Sequence, residues 1–125
     1  MPERKRILII DDTAAVCAVM RDTLTELGYA VSCAANGVAG LDRITLEGPP
    51  DLVITDIIMP RKTGLETIRD IRAVYPRVPI IAISGGGRER AGDLLEEAAL
   101  CGCNAALAKP INMTQFEDTV RRLAG

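Results

Sequence analysis

Histidine and tryptophan are both missing from this 125-residue chain, and two tyrosines and one phenylalanine are its only aromatic residues. Without histidine there can be no histidine-based catalytic triad and no phosphohistidine formed on the chain itself. Without tryptophan there is no indole fluorescence to follow. The scarcity of rings leaves the core to Ile, Leu, Val and Ala, the usual filling of helices packed on a parallel sheet. Long apolar runs are missing too: the basic start Met1 to Arg6 is followed by an apolar run of only Ile7 to Ile10, too short for a signal peptide or a membrane span. The chain is therefore expected to be cytoplasmic and off the membrane. Cys17, Cys33, Cys101 and Cys103 have no CxxC spacing and, with no histidine to join them, make a poor zinc set. They are expected to be buried or neutral reduced thiols. Neither sign of charge dominates. Fifteen basic residues are scattered among seventeen acidic ones, which leaves no footprint for a nucleic-acid backbone.

What is present is a regular alternation. At this length residues 1–125 fit one compact domain with an ordinary core. Arg6 to Ile10 is a short apolar run that stops at Asp11 and Asp12, and Leu52 to Asp56 is another that stops at a carboxylate. Ala30 to Ala34 alternates weakly, as suits a sheet edge, while Pro79 to Ile83 is apolar throughout and ends in Ser84. Asn104 to Ala108 supplies a fifth strand of small residues, closed by Lys109-Pro110. Between these runs the period becomes helical. Val16, Met20, Leu24 and Leu27 follow an N-cap at Asp12 or Thr13 and stop at Gly28. Val38, Leu41 and Ile44 follow Asn36, and Gly48-Pro49-Pro50 breaks the run. Leu65, Ile68, Ile71 and Val74 end before Tyr75-Pro76. Asp93 with Glu96 reads as a capping box ahead of Leu94, Leu95, Ala98 and Ala99, and Phe116, Val120 and Leu123 mark a last amphipathic helix. Five strands alternating with five helices predict an α/β fold with a doubly wound parallel sheet and right-handed crossovers.

In such a sheet the strand ends share one edge, so Asp11, Asp12, Asp56, Ser84 and Lys109 are expected to converge. Three carboxylates in one crevice repel, and the simplest relief is a hard cation with oxygen ligands, most plausibly Mg²⁺. A lysine charge and a hydroxyl opposite them match the remaining oxygens of a phosphoryl group. Asp11 and Asp12 sit together as metal ligands, whereas Asp56 projects singly from the central strand. Asp56 is therefore the candidate nucleophile, forming an aspartyl phosphate with Mg²⁺ and Lys109 neutralising the charge.

The Asp11-Asp12 pair, Asp56 with Met59-Pro60 and Gly64, Ser84, and Lys109-Pro110 together resemble the receiver domain of two-component response regulators, from Ile7 to Leu123. The resemblance implies a flavodoxin-like sheet of order 2-1-3-4-5 and Asp56 as phosphoacceptor. It places Mg²⁺ on Asp12, Asp56 and the Ile58 carbonyl, with Asp11 acting through water. Ser84 would be the switch hydroxyl, Lys109 the phosphoryl contact, and the Lys109-Pro110 bond cis. The donor implied is a sensor histidine kinase or a histidine phosphotransfer protein. Phosphorylation would then change affinity for a downstream protein, without direct nucleic-acid binding, and the chain would catalyse only its own phosphorylation and slow dephosphorylation.

Three positions depart from the family's habit. Strand five carries no aromatic before Lys109, so the glycine-rich stretch Ser84 to Gly92 is expected to carry the signal instead. Ile58, two residues after Asp56, is apolar where relatives often carry a polar residue, and is expected to hinder an attacking water and prolong the phosphoryl lifetime. Ser84 replaces the commoner threonine and keeps the hydroxyl. Arg61 and Lys62 flank the site and read either as a hold on the phosphodonor or, as is commoner for such a pair, as a solvated loop face. With no output domain expected after Leu123, the chain is expected to act as a phosphorelay shuttle or an adaptor, or to be a piece of a longer regulator or hybrid kinase. The other readings weighed are an aspartate-nucleophile phosphohydrolase, whose Asp-x-Asp motif is absent, and a flavodoxin-like cofactor binder, whose anionic phosphate the acidic crevice disfavours. The last is a receiver-like adaptor acting unphosphorylated, which the intact Asp56, Ser84 and Lys109 argue against.

Overall fold

In a computed structural model, which describes residues 4–57, 63–84 and 96–125, each apolar run of the sequence is a strand, and the three central ones have both faces covered. The order along the chain is β1 (Arg6–Ile10), α1 (Ala14–Glu26), β2 (Ala30–Ala34), α2 (Gly37–Glu47), β3 (Leu52–Asp56), α3 (Gly64–Val74), β4 (Ile80–Ser84), a helix α4 described over residues 96–101, β5 (Ala105–Ala108) and α5 (Met113–Ala124). All strand pairs are parallel and the order across the sheet is β2-β1-β3-β4-β5. This is the doubly wound order that the resemblance implies, with the weakly patterned β2 at an edge. No described helix is long and apolar enough to cross a membrane.

The strands read as continuous hydrophobic runs because successive residues feed two separate cores. Ile7 and Ile9 of β1 join Met20 and Leu24 of α1 and Phe116 and Val120 of α5 on one face. Leu8 and Ile10 join Ile44 of α2, Ile68 and Ile71 of α3 and Ala98 of α4 on the other. With period-two alternation, a strand buried on both sides leaves little room for polar residues before its end, and Thr55, buried inside β3, satisfies its hydroxyl on the Asp56 carbonyl at 3.0 Å.

Helix starts follow the caps. Asn36 accepts from the Ala39 amide at 2.8 Å, Asn112 from the Gln115 amide at 2.9 Å, and Thr63 from the Glu66 amide at 3.3 Å. Thr13 occupies the N-cap of α1 in extended conformation but its hydroxyl caps nothing. The core stripes are shifted from the apolar periodicity in two helices. Val38 of α2 and Val74 of α3 are more than half exposed, whereas Gly40 and Thr67 are buried. A Cβ on Gly40 would lie 2.5 Å from Ile10 Cδ1, so α2 reaches the sheet along a small-residue line that an apolar count overlooks. Ala99 is exposed, and β5 begins at Ala105. Asn104 instead turns its Oδ1 back to the Ile80 amide at 2.9 Å.

The expectation of four reduced thiols is overturned for two of them. Cys17 of α1 and Cys33 of β2 are joined in a disulfide, while Cys101 and Cys103 are free. A separation of sixteen residues carries no motif. The pairing exists because α1 packs back on the edge strand that follows it. The Asp93 cap, the stretch from 85 to 92, and Ile58 to Lys62 lie outside the described residues.

Candidate functional site

The candidate site is assembled at the carboxyl edge of the sheet, where β1, β3, β4 and β5 end in or are followed directly by a polar side chain. Asp11 follows β1. Its amide donates to the Ala34 carbonyl at 3.0 Å, which carries the β1–β2 ladder one residue further. Its Oδ1 accepts from the Thr13 amide at 2.8 Å, turning the chain into α1. Asp11 is therefore buried, while Asp12, next along, is exposed. Asp56 is the last residue of β3, buried, and registered beside Ile83 of β4.

Lys109 follows β5, and its amide donates to the Ser84 carbonyl at 2.8 Å. The peptide bond from Lys109 to Pro110 is cis. The lysine Nζ reaches across the edge to lie 3.0 Å from Asp56 Oδ2 and 3.8 Å from Asp11 Oδ2. One oxygen each from Asp11, Asp12 and Asp56 lies within 4.8 Å of the others. Ser84 closes β4 in the same row. It is fully buried, and its hydroxyl has no hydrogen-bond partner among the described residues.

The electrostatics of this cluster are unbalanced. Burial pushes the Asp11 carboxyl above its ordinary range, and the charges of Asp56 and Asp12 push in the same direction. The Thr13 amide and the Lys109 ammonium oppose them only in part. Asp11 Oδ2 is buried and, among the described residues, without a hydrogen-bond partner. A buried carboxylate oxygen aimed at two further carboxylates, with oxygen donors only, fits a hard divalent cation. The cluster can hold a metal, and the donor set agrees with one.

Four of the five strand-end residues are thus brought within a few ångströms of one another, and Ser84 ends the adjacent strand β4. The Ile58 carbonyl falls outside the described residues. Three contributors escaped sequence reasoning. The Thr13 amide orients Asp11. Gly64, noticed there only as part of a motif, donates its amide to the Ile57 carbonyl at 2.8 Å, and a Cβ on it would collide with the Asp56 carbonyl oxygen. Cys17 and Cys33 line a surface cleft of about 420 Å³ together with Asp11, Asp12 and Arg21.

Over residues 7–121 the sequence matches the family described as response regulator receiver domain. The chain belongs to that family. It is 30% identical over 121 residues to the chemotaxis protein CheY of Thermotoga maritima, covering 96% of this chain and 98% of that one. It is 31% identical over 129 residues to hybrid signal transduction histidine kinase E of Dictyostelium discoideum, covering 99% of this chain but only 7% of the kinase. The same fold recurs in a receiver domain from Clostridium thermocellum, with a TM-score of 0.88, 26% identity, and 96% and 94% of the two chains covered. The protein is thus a receiver domain of two-component signalling, and receivers of this family take phosphoryl groups from histidine kinases or phosphotransfer proteins. The phosphohydrolase and unphosphorylated-adaptor readings are not favoured.

Proposed function

We propose that Asp56 is the phosphoacceptor of this receiver and that Asp11, Asp12 and Asp56, with the Ile58 carbonyl, hold Mg²⁺ beside it. What supports the reading most directly is the 3.0 Å contact of Lys109 Nζ with Asp56 Oδ2 inside the carboxylate cluster. Bound there, a divalent cation supplies charge neutralisation at a phosphoryl oxygen. The chain's own groups do the rest. Asp56 presents a carboxylate oxygen in line with the phosphorus of a phosphohistidine, forming the P–O bond as the P–N bond breaks. Lys109 is already beside the attacking carboxylate and takes up negative charge on the transferred group. The buried Ser84 hydroxyl, without a partner among the described residues, donates to a further phosphoryl oxygen and is the switch that reports the modification.

The donor is a sensor histidine kinase or histidine phosphotransfer protein, the output is altered affinity for a downstream protein, and the setting is the cytoplasm. No nucleic acid and no membrane takes part. Strand and helix elements from residue 6 to residue 124, with the family match over 7–121, support residues 1–125 as a single receiver domain that catalyses only its own phosphorylation and slow dephosphorylation.

The test is intact-mass measurement after incubation with acetyl phosphate and Mg²⁺. One phosphoryl group is expected on the parent and none on Asp56→Asn. A mass gain that survives in the variant places the acceptor elsewhere. Lys109→Ala is expected to slow the gain by about two orders of magnitude, the size typical for loss of one such electrostatic contact.

A further inference from the structure

The disulfide lies beside the acidic cluster, and short links join the two. Cys33 directly precedes Ala34, whose carbonyl accepts the Asp11 amide at 3.0 Å. The Cys17 amide donates to the Thr13 carbonyl at 3.1 Å, and the Thr13 amide donates to Asp11 Oδ1 at 2.8 Å. The bond between Cys17 and Cys33 therefore closes a ring that passes through Asp11. Both cysteines line the cleft that also exposes Asp12. Cys33 is partly exposed and Cys17 buried, so Cys33 is the sulfur offered to an incoming thiolate. The remaining thiols, Cys101 and Cys103, pack against the core on the opposite face of the sheet.

We propose that Cys17 and Cys33 form a reversible thiol–disulfide site that sets how firmly the Asp11-Asp12 loop is held, the disulfide state binding a divalent cation more tightly than the dithiol state. The proposal rests on the metal reading of the acidic cluster given above. Its physical basis is preorganisation. Three like charges gathered at one edge push apart, and holding them costs free energy that cation binding must offset. With the ring closed, α1 and β2 hold Asp11 from both sides. With it open, the loop relaxes away from its neighbours and must be re-gathered on binding. In a reducing compartment a disulfide of this kind is a sensing element rather than a permanent staple.

The exchange balances with a dithiol as partner. The reductant's thiolate attacks Cys33 Sγ, the disulfide breaks, and Cys17 leaves as a thiolate that takes a proton. The reductant's second thiol then attacks the mixed disulfide, freeing Cys33 and leaving the reductant oxidised, so that two electrons and two protons pass to the pair. A disulfide oxidant such as oxidised glutathione reverses the step.

The test compares the full chain after oxidised glutathione with the full chain after dithiothreitol. Thiols are counted in denaturant, and Mn²⁺ binding is titrated by electron paramagnetic resonance with excess reagent removed. Two thiols are expected in the oxidised chain and four in the reduced. The oxidised chain is expected to bind Mn²⁺ roughly three- to tenfold more tightly. Cys17→Ser with Cys33→Ser should bind as the reduced chain does under either treatment, and Cys101→Ser with Cys103→Ser should keep the difference. Four thiols after oxidation, or equal Mn²⁺ affinity in the two states, overturns the proposal while leaving the metal reading intact. Failure of both states to bind Mn²⁺ overturns the metal reading, and the proposal with it.

Discussion

Asp56 sits where a buried strand stops, and the residue that packs over its backbone is Gly64, the first of α3. The space there is closed by main chain: a Cβ on Gly64 would touch the Asp56 carbonyl oxygen and lie 2.6 Å from Ile57 Cα. Glycine to alanine inside a helix ordinarily stabilises by up to about 1 kcal/mol. Here the neighbours are backbone atoms that cannot rotate away, so Gly64→Ala is expected to lose about 1–3 kcal/mol in urea unfolding. Because the displaced atoms carry Asp56, it should also slow phosphorylation by acetyl phosphate. An unchanged urea midpoint would show that α3 tilts freely and that the glycine is not needed for the approach. At this scale the candidate acidic and lysine positions were legible in sequence because a polar residue that ends an apolar run is conspicuous. Gly64, the Thr13 amide and the Cys17–Cys33 pair were not. Each acts through a contact between segments, and nothing in the local pattern announces it.

Elements were legible to within a residue or two wherever a cap, a glycine or a proline marked a boundary. Helix faces were less so. Counting apolar residues placed Val38 and Val74 inside and passed over Gly40 and Thr67, because a helix lying close to a sheet needs small residues at the contact and tolerates valines beside it. Asn104, read as the first residue of β5, is instead a junction. Arg72, near the end of α3, donates to the carbonyls of Tyr75, Val78 and Gly102 and to Asn104 Oδ1, which also accepts the Ile80 amide. One guanidinium thereby joins α3 to the turn between α4 and β5. Lysine keeps the charge but offers a single ammonium in place of a planar fork. Arg72→Lys is expected to lower stability by about 1–3 kcal/mol. Combined with Asn104→Ala it should lose less than the sum of the two single changes, since both act on one network. Additive losses in urea unfolding would mean that the two residues work independently.

For the molecule as a whole, the alternation of five apolar runs with helical segments sufficed for the sheet, because burial on both faces leaves little choice of architecture. The balance of charge at the sheet edge has a consequence for the stability of the entire fold. Asp11 has its folded pKa raised above the ordinary value of 3.8, chiefly by burial and further by Asp56 and Asp12. The folded state therefore binds this proton more tightly than the unfolded chain does. The stabilising contribution is complete below the unfolded value and is lost as pH rises through the folded one. In chelator at neutral pH, ionised Asp11 is thus a net burden on the fold. Asp11→Asn keeps an oxygen for the Thr13 amide and removes the charge, so it is expected to be more stable than the parent at pH 7, with the advantage vanishing below about pH 4. Mg²⁺ should reverse the order. A ligand at a hundred times its dissociation constant stabilises the folded state by about 2.7 kcal/mol, a gain available to the parent and reduced in the variant. Urea midpoints for the two proteins between pH 4 and pH 8, with EDTA and then with Mg²⁺, measure both effects. A variant no more stable than the parent at pH 7 in EDTA would show that Lys109 and the Thr13 amide already neutralise the cluster, and that it has no need of a cation.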